Sequence, residues 1–395
     1  MYIKDWEEEG KYFYYLQKVL GYGKDSIREI VTFFGSAKEA CRKSYEELEP
    51  HLKHFGNEKR GKIREKWNRD YFGEAKIEYY GQILGAMEYV PWHHPLFPEK
   101  LRGIPDAPVA LFYKGKLPDP NKPALAIIGS RGCSAYGTNA ARWFAEEMAR
   151  HDVQVISGLA RGIDGIAQKS AMDAGGESFG VLGCGADVCY PKENRLIYDH
   201  CIKKGGIISE YIPGTQPEGR LFPPRNRIIS GLADAVLVVE AKERSGTLIT
   251  VDMALDQGKD VFMLPGRVTD RLSAGCNRMI AQGAEMALSP EDLLEKLYGI
   301  RKKQETKGEE TGWKGETENG ENREEEAPQI LDVLDLNPKS AQQLFEELAE
   351  LRSLGGYPEP GSVMELIGPL MQLCMNGTAM QLPGGFYRLD DREFG

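Results

Sequence analysis

The stretch Leu125-Ala-Ile-Ile-Gly-Ser-Arg-Gly-Cys-Ser-Ala-Tyr-Gly137 reads as a buried strand that runs into a glycine-rich turn, with a helical pattern following over 138–150. An unbroken apolar run of this kind fits a strand covered on both faces, as in a parallel sheet. The unit recurs downstream. Apolar runs at 153–157, 179–182, 206–209, 235–240 and 261–264 read as further strands, with helical patterns at 165–174 and 246–257 between them. Such alternation predicts a doubly wound, Rossmann-like parallel sheet over roughly residues 122–297.

Composition bounds the remainder. The chain has 395 residues, enough for two or three domains, and its 41% hydrophobic content supports packed cores. A formal net charge of -10 argues against coating nucleic acid by global electrostatics but leaves room for a local basic site. No run reaches the length of a transmembrane helix and the first residues lack a signal-peptide core, so a cytoplasmic protein without membrane contact is expected. Seven scattered cysteines, without a CxxC pair or a His-rich cluster, predict neither a zinc site nor a disulfide framework.

Four regions follow: 1–90, 91–298, 299–328 and 329–395. The first reads as helices, with Tyr12, Tyr15, Leu16, Val19 and Leu20 on one face, a break at Gly21-Tyr-Gly23, and Ile27, Ile30, Val31 and Phe34 on the next. Residues 59–69 carry six basic side chains against Glu65, which reads as a solvated helix face. Residues 299–328 are Glu-, Lys-, Gly- and Thr-rich and predict a disordered linker. Beyond them, helices at 330–336, 341–351 and after Ser362, then a hairpin at 381–389, predict a winged-helix shape.

The strand ends carry the chemistry. Ligands of open α/β sheets bind outside the carboxyl ends of the strands. There lie Gly129-Ser-Arg131, Gly158-Leu-Ala-Arg-Gly-Ile-Asp164, Gly183-Cys-Gly185 and Lys242-Glu-Arg-Ser-Gly-Thr247. A further segment, Phe222-Pro-Pro-Arg-Asn-Arg-Ile-Ile-Ser-Gly-Leu232, reads as a proline-stiffened loop offering two arginines before the strand at 235. Glycines admit a phosphate to the backbone and arginines grip it. Arg131, Arg161, Arg225, Arg227, Lys242 and Arg244 are therefore expected to ring one edge of the sheet. No GxxxxGK[ST] is present, and no serine lies in G-x-S-x-G. His151 and His200 are expected at helix ends, away from that edge. Asp164 and Asp187 read as loop-bracing groups, Glu240 as a partner for an arginine, and Cys133, Cys184 and Cys189 as loop filler. No catalytic residue and no cofactor is predicted.

Read together, these strings resemble the DprA/Smf family of DNA-processing proteins. The likeness continues through Tyr190-Pro191, Asn194, Ile208-Ser-Glu210, Ser245-Gly-Thr-Leu-Ile-Thr250, Pro265-Gly266 and Asn277, and upstream through His94-Pro-Leu-Phe-Pro98 and Leu111-Phe-Tyr-Lys-Gly115. It implies an extended Rossmann-like fold flanked by an N-terminal helix-hairpin or SAM-like domain and a C-terminal winged-helix domain. It also implies single-stranded DNA binding, protection of incoming DNA during natural transformation, loading of RecA, and a homodimer formed through the Rossmann-like domain. Arg131, Arg225 and Phe222 carry over as the foremost DNA contacts, Phe222 as either a stacking face or an anchor for its loop. Gly129, Ser130, Gly158, Arg161, Arg220, Asn226, Arg227, Lys242, Arg244, Ser245 and Gly246 complete the expected set. Gln168 stands where relatives commonly have His, Ala233 where Ser is common, and Arg220 is the nearby basic residue where many relatives place a lysine just before the Phe-Pro motif.

The last region is read independently. Helix 362–376 contains no Lys or Arg, and residues 329–395 hold ten acids against four basic residues. A helix without phosphate-binding cations is not built to read a major groove, so a protein-interaction or regulatory role is expected. The rival reading is an enzyme or sensor for free nucleotides, such as a phosphoribohydrolase. The Pro-Gly-Gly of that enzyme type occurs here only at Pro383-Gly-Gly385, outside the sheet.

Overall fold

The computed structural model describes residues 6–21, 24–69, 78–79, 81–83, 87–299, 330–335, 338–354, 361–376, 378–382 and 384–389. The expected linker lies outside the described residues beyond Gly299. Two compact units result, Met1–Arg301 and Lys302–Gly395.

The first unit is built on nine strands: β1 Glu88–Pro91, β2 Ala110–Gly115, β3 Ala124–Ile128, β4 Gln154–Ser157, β5 Ser178–Val181, β6 Gly206–Ser209, β7 Ala235–Val238, β8 Asp260–Met263 and β9 Glu285–Met286. Their order is β1-β2-β6-β5-β4-β3-β7-β8-β9. From β6 through β9 every pairing is parallel. The wholly parallel sheet expected from the sequence is thus extended at one edge, because β2 runs antiparallel to β6 and β1 antiparallel to β2. Growth of the sheet reverses at β3, with β4 to β6 on one side and β7 to β9 on the other. That reversal leaves a crevice outside the carboxyl ends of β3 and β7.

Alternate residues of β3 serve different cores. Leu125 and Ile127 join Phe144, Ala167 and Leu293 on one face. Ala126 and Ile128 join Ile228, Ile229, Val251 and Cys276 on the other. Helices Ala135–Arg150, Ile163–Asp173 and Pro290–Tyr298 therefore cover the first face, and Phe222–Leu232, Gly246–Asp256 and Ala274–Ala281 the second. Full burial of β3 to β7 explains their continuous apolar sequences. Three helices start on serine caps, with Ser134, Ser245 and Ser289 accepting from the first-turn amides of Gly137, Thr247 and Asp292. Each such cap contributes about 1 kcal/mol.

The described N-terminal helices pack directly on this sheet. Helices Trp6–Leu20 and Lys24–Phe34 bury Phe13, Leu16, Ile27 and Ile30 in a core that also contains Val109 and Ala110. Tyr14 meets Phe112 of β2 edge-on at 5.7 Å, and Arg28 Nη2 donates to the Ala107 carbonyl at 2.8 Å. The composition change near residue 90 therefore does not coincide with a break in packing. The basic run lies on helix Asn57–Arg69, where Ile63 and Trp67 are buried and Lys59, Lys62, Arg64 and Lys66 are exposed, as a solvated face requires.

The second unit contains helices Ile330–Val333, Ala341–Leu354 and Val363–Met375 and a three-stranded sheet of β10 Lys339–Ser340, β11 Ala379–Leu382 and β12 Phe386–Leu389 in the order β10-β12-β11. Leu344, Leu348, Leu366, Leu370 and Tyr387 form its core. Pro369 sits inside the third helix, which exposes Met364, Met371 and Met375. Among the described residues no helix is long and apolar enough to cross a membrane.

Candidate nucleic-acid interface

Backbone contacts stitch the strand-end loops together. A side-chain carbon at Gly129 would lie 2.7 Å from Ile163 Cγ1, so only glycine lets the β3 loop approach the helix after β4. Gly162 has φ +72, and Ile163 N donates to Ser130 O at 3.2 Å. On the opposite side Thr247 Oγ1 donates to Gly129 O at 3.3 Å. Glu240, at the end of β7, accepts from both the amide and the hydroxyl of Ser134. The arginine partner expected for Glu240 is thus replaced by a capping serine, which locks the turn that displays Arg131.

Phe222–Leu232 is a helix, not the loop its two prolines suggested. Pro223 and Pro224 occupy the first turn, where no intrahelical N–H is needed and the fixed φ is already helical. The change of structure changes its arginines. Arg225 is buried: Nη1 donates to Gly158 O at 2.9 Å and to Val181 O, and Nε donates to Asn226 Oδ1 at 3.2 Å. Burial pulls its guanidinium down to about 10, with the Asp164 charge opposing, so it stays protonated at neutral pH. Asp164 Oδ2 accepts from Gly158 N at 3.1 Å, the bracing role expected of it, and burial raises that carboxyl. Asp187 braces likewise, accepting from Gly214 N at 2.9 Å. Arg227 is also buried and is held bidentately by Glu210 at 2.8 and 2.7 Å. Burial works against its charge, but the bond to Glu210 outweighs this and raises the guanidinium.

Of the six cations expected to ring the edge, only four reach solvent. Arg131, Arg161, Lys242 and Arg244 are exposed, whereas Arg225 and Arg227 lie beneath the surface as fasteners. Arg161 pairs with Glu193 at 2.5 Å, and Arg220, also exposed, pairs with Glu218 at 2.8 Å. Ser130 Oγ donates to Gly132 O, Ser245 caps its helix, Gly246 is exposed, and buried Gly158 serves Asp164 and Arg225.

Phe222 joins these parts. Its half-buried ring sits 5.8 Å from the guanidinium carbons of both Arg131 and Arg225, and its centroid lies 5.6 Å from that of Tyr190. A side-chain carbon at Gly183 would meet Phe222 Cδ1 at 2.7 Å, so one edge anchors the helix start. Arg131, Ala160, Arg161, Tyr190 and Arg225 line the cleft beside it. Tyr190, 39% exposed, lines this cleft and is absent from the set expected from the sequence. An aromatic in the loop after β5, beside the glycine-rich ends, was the available signal. The cleft combines an exposed cation, two aromatic rings and backbone glycines, which suits a base and its phosphate. His151 caps its helix, as expected, while His200 lies inside helix Arg195–Lys204 and not at its end. No cluster of three His, Cys, Asp or Glu fit to hold a metal occurs among the described residues.

The sequence profile of the family described as DNA recombination-mediator protein A matches residues 88–298. The chain is 44% identical over 198 residues to the DNA processing protein DprA of Streptococcus pneumoniae, covering 50% of this chain and 70% of that one. It is 35% identical over 305 residues to Protein Smf of Escherichia coli, covering 76% and 77%. The X-ray structure of DprA from Streptococcus pneumoniae superposes with a TM-score of 0.64 at 32% identity, over 73% of this chain and 98% of that chain.

Proposed function

The chain belongs to the DNA recombination-mediator protein A family, and on that premise we propose that its strand-end edge holds single-stranded DNA. The observation that carries this reading is the Phe222 cleft. Arg131 meets a phosphate, Tyr190 and the exposed edge of Phe222 receive an unpaired base, and buried Arg225 fixes the two loops that shape the floor. A cleft that recognises faces and phosphates in place of base edges accepts any sequence.

Titration of labelled oligo-dT of increasing length, beside dTMP and at several salt concentrations, tests this. Affinity that rises with length and falls with salt is expected. Tight binding or turnover of the mononucleotide, with no gain from length, would replace it with the free-nucleotide reading.

The proposal extends to protection of incoming DNA, RecA loading and a dimer formed through the Rossmann-like domain. Edge strand β9 is two residues long and leaves Met286 and nearby Leu288 exposed, which supports a pairing surface there. Light scattering on Met286→Glu/Leu288→Glu should report monomers. The Lys302–Gly395 unit is assigned a winged-helix-like shape and a protein-contact role, supported by a third helix without Lys or Arg. Truncation after residue 299 should leave duplex DNA binding unchanged.

A further inference from the structure

We infer that the DNA path does not end at the Phe222 cleft but crosses the switch point onto the loop after β8, where Arg267 and Arg271 receive phosphates. This inference rests on the single-stranded DNA reading above.

The loops after β3, β7 and β8 form one continuous rim. Thr247 Oγ1 binds Gly129 O, Gly275 N donates to Ala241 O at 2.8 Å, and Tyr136 OH donates to Pro265 O at 2.6 Å. The β8 loop is itself pinned, since Asn277 donates to Gly266 O at 2.9 Å and accepts from Gly266 N at 3.1 Å. From this fixed base residues 267–271 project outward, with Val268 93% exposed and Arg267, Asp270 and Arg271 exposed beside it.

Each loop beyond the switch point exposes two cations and one acid: Lys242, Arg244 and Glu243 after β7, Arg267, Arg271 and Asp270 after β8. No aromatic side chain stands among residues 239–247 or 265–273. This half of the rim can hold phosphates but has no face for a base. The order β5-β4-β3-β7-β8 sets its length. At about 4.8 Å between strands the rim spans roughly 19 Å. At about 3.4 Å per stacked nucleotide that is room for about five nucleotides, and for fewer of an extended strand. A strand gripped base-first at Phe222 would run backbone-first over the far half.

Length dependence tests this on the full chain. Arg267→Gln/Arg271→Gln should bind dT3, which is held mainly at the cleft, as the unchanged protein does. For dT20 it should lose about fivefold in affinity at moderate salt, with the salt dependence of log K reduced by about 1.4, some 0.7 for each cation removed. Asp270→Asn, which adds net positive charge without removing an arginine, should tighten dT20 about twofold and leave dT3 unchanged. Unchanged dT20 affinity and salt slope in the double variant would overturn the path, as would equal losses for dT3 and dT20. If the unchanged protein bound neither oligomer, the single-stranded DNA reading itself would fall, which is a distinct result.

Discussion

Helix Phe222–Leu232 and the loops after β3 and β4 bring arginines to the same corner of the sheet, and the two regions use them in opposite ways. On the helix, Arg225 and Arg227 are buried and spent on two carbonyls and on Glu210. On the loops, Arg131 and Arg161 stand in solvent. A guanidinium has five donors in a rigid fork, so it can fasten protein segments as effectively as it grips phosphate. Residue type thus marks the corner as cationic, while burial decides which cations remain for a ligand.

The largest effect that could break this division is Glu210→Ala. It leaves buried Arg227 with only the exposed Asp106 carboxylate, 3.2 Å from its Nε, and should cost about 3 kcal/mol in urea or thermal unfolding. Retention of full stability would mean that Arg227 is not a fastener. Arg225→Ala removes a charged donor from Gly158 O and Val181 O and should destabilise by about 2–3 kcal/mol, lowering DNA affinity through a disordered cleft. An unchanged melting temperature with weakened DNA binding would instead return Arg225 to the contact set.

Tyr190→Ala should leave stability within about 0.5 kcal/mol and weaken short oligomers by about 1–2 kcal/mol through lost stacking. Arg131→Ala should likewise spare stability, cost about 1 kcal/mol of binding and reduce the salt slope by about 0.7. The smallest effect is expected at Arg161, whose exposed pair with Glu193 already satisfies its charge. Arg161→Ala should shift affinity less than about twofold, because exposed pairs contribute little and a cation so occupied adds little more. A loss at Arg161 as large as at Arg131 would show the pair opening to the ligand.

Much of the fold was legible from residue order. The six central strands follow from apolar runs that burial on both faces demands, and the glycine-rich loops fall where topology places ligands. The edge strands β1, β2 and β9 were not read as strands. β9 is two residues long, and β1 owes its place to packing against the N-terminal helices, a long-range effect outside any sequence window. Helix Phe222–Leu232 was concealed by Pro-Pro, whose role depends on whether it opens a helix or sits in a loop. In the site, the position of Arg131 could be read and the burial of Arg225 and Arg227 could not. Residues two apart point to different helix faces, so burying both requires protein on more than one side. Ile228, Ile229 and Leu232 beside them carried part of that signal.

The placement of β3 also bears on how the chain is made. It pairs with β4 soon after synthesis, but its other neighbour, β7, begins at Ala235. β2 likewise waits for β6, at Gly206–Ser209. At about 5–20 residues per second, the open flank of β3 stays unsatisfied on the ribosome for on the order of ten seconds. Its sequence, Ala-Leu-Ala-Ile-Ile, is a short uncharged strand former of the kind that seeks partners during such an interval. The N-terminal helices cannot shield it, since their own seat on β2 lies at the far edge of the finished sheet. The design that places the cleft at a topological reversal therefore keeps a buried strand waiting for half of its partners until Val238 has been added to the chain.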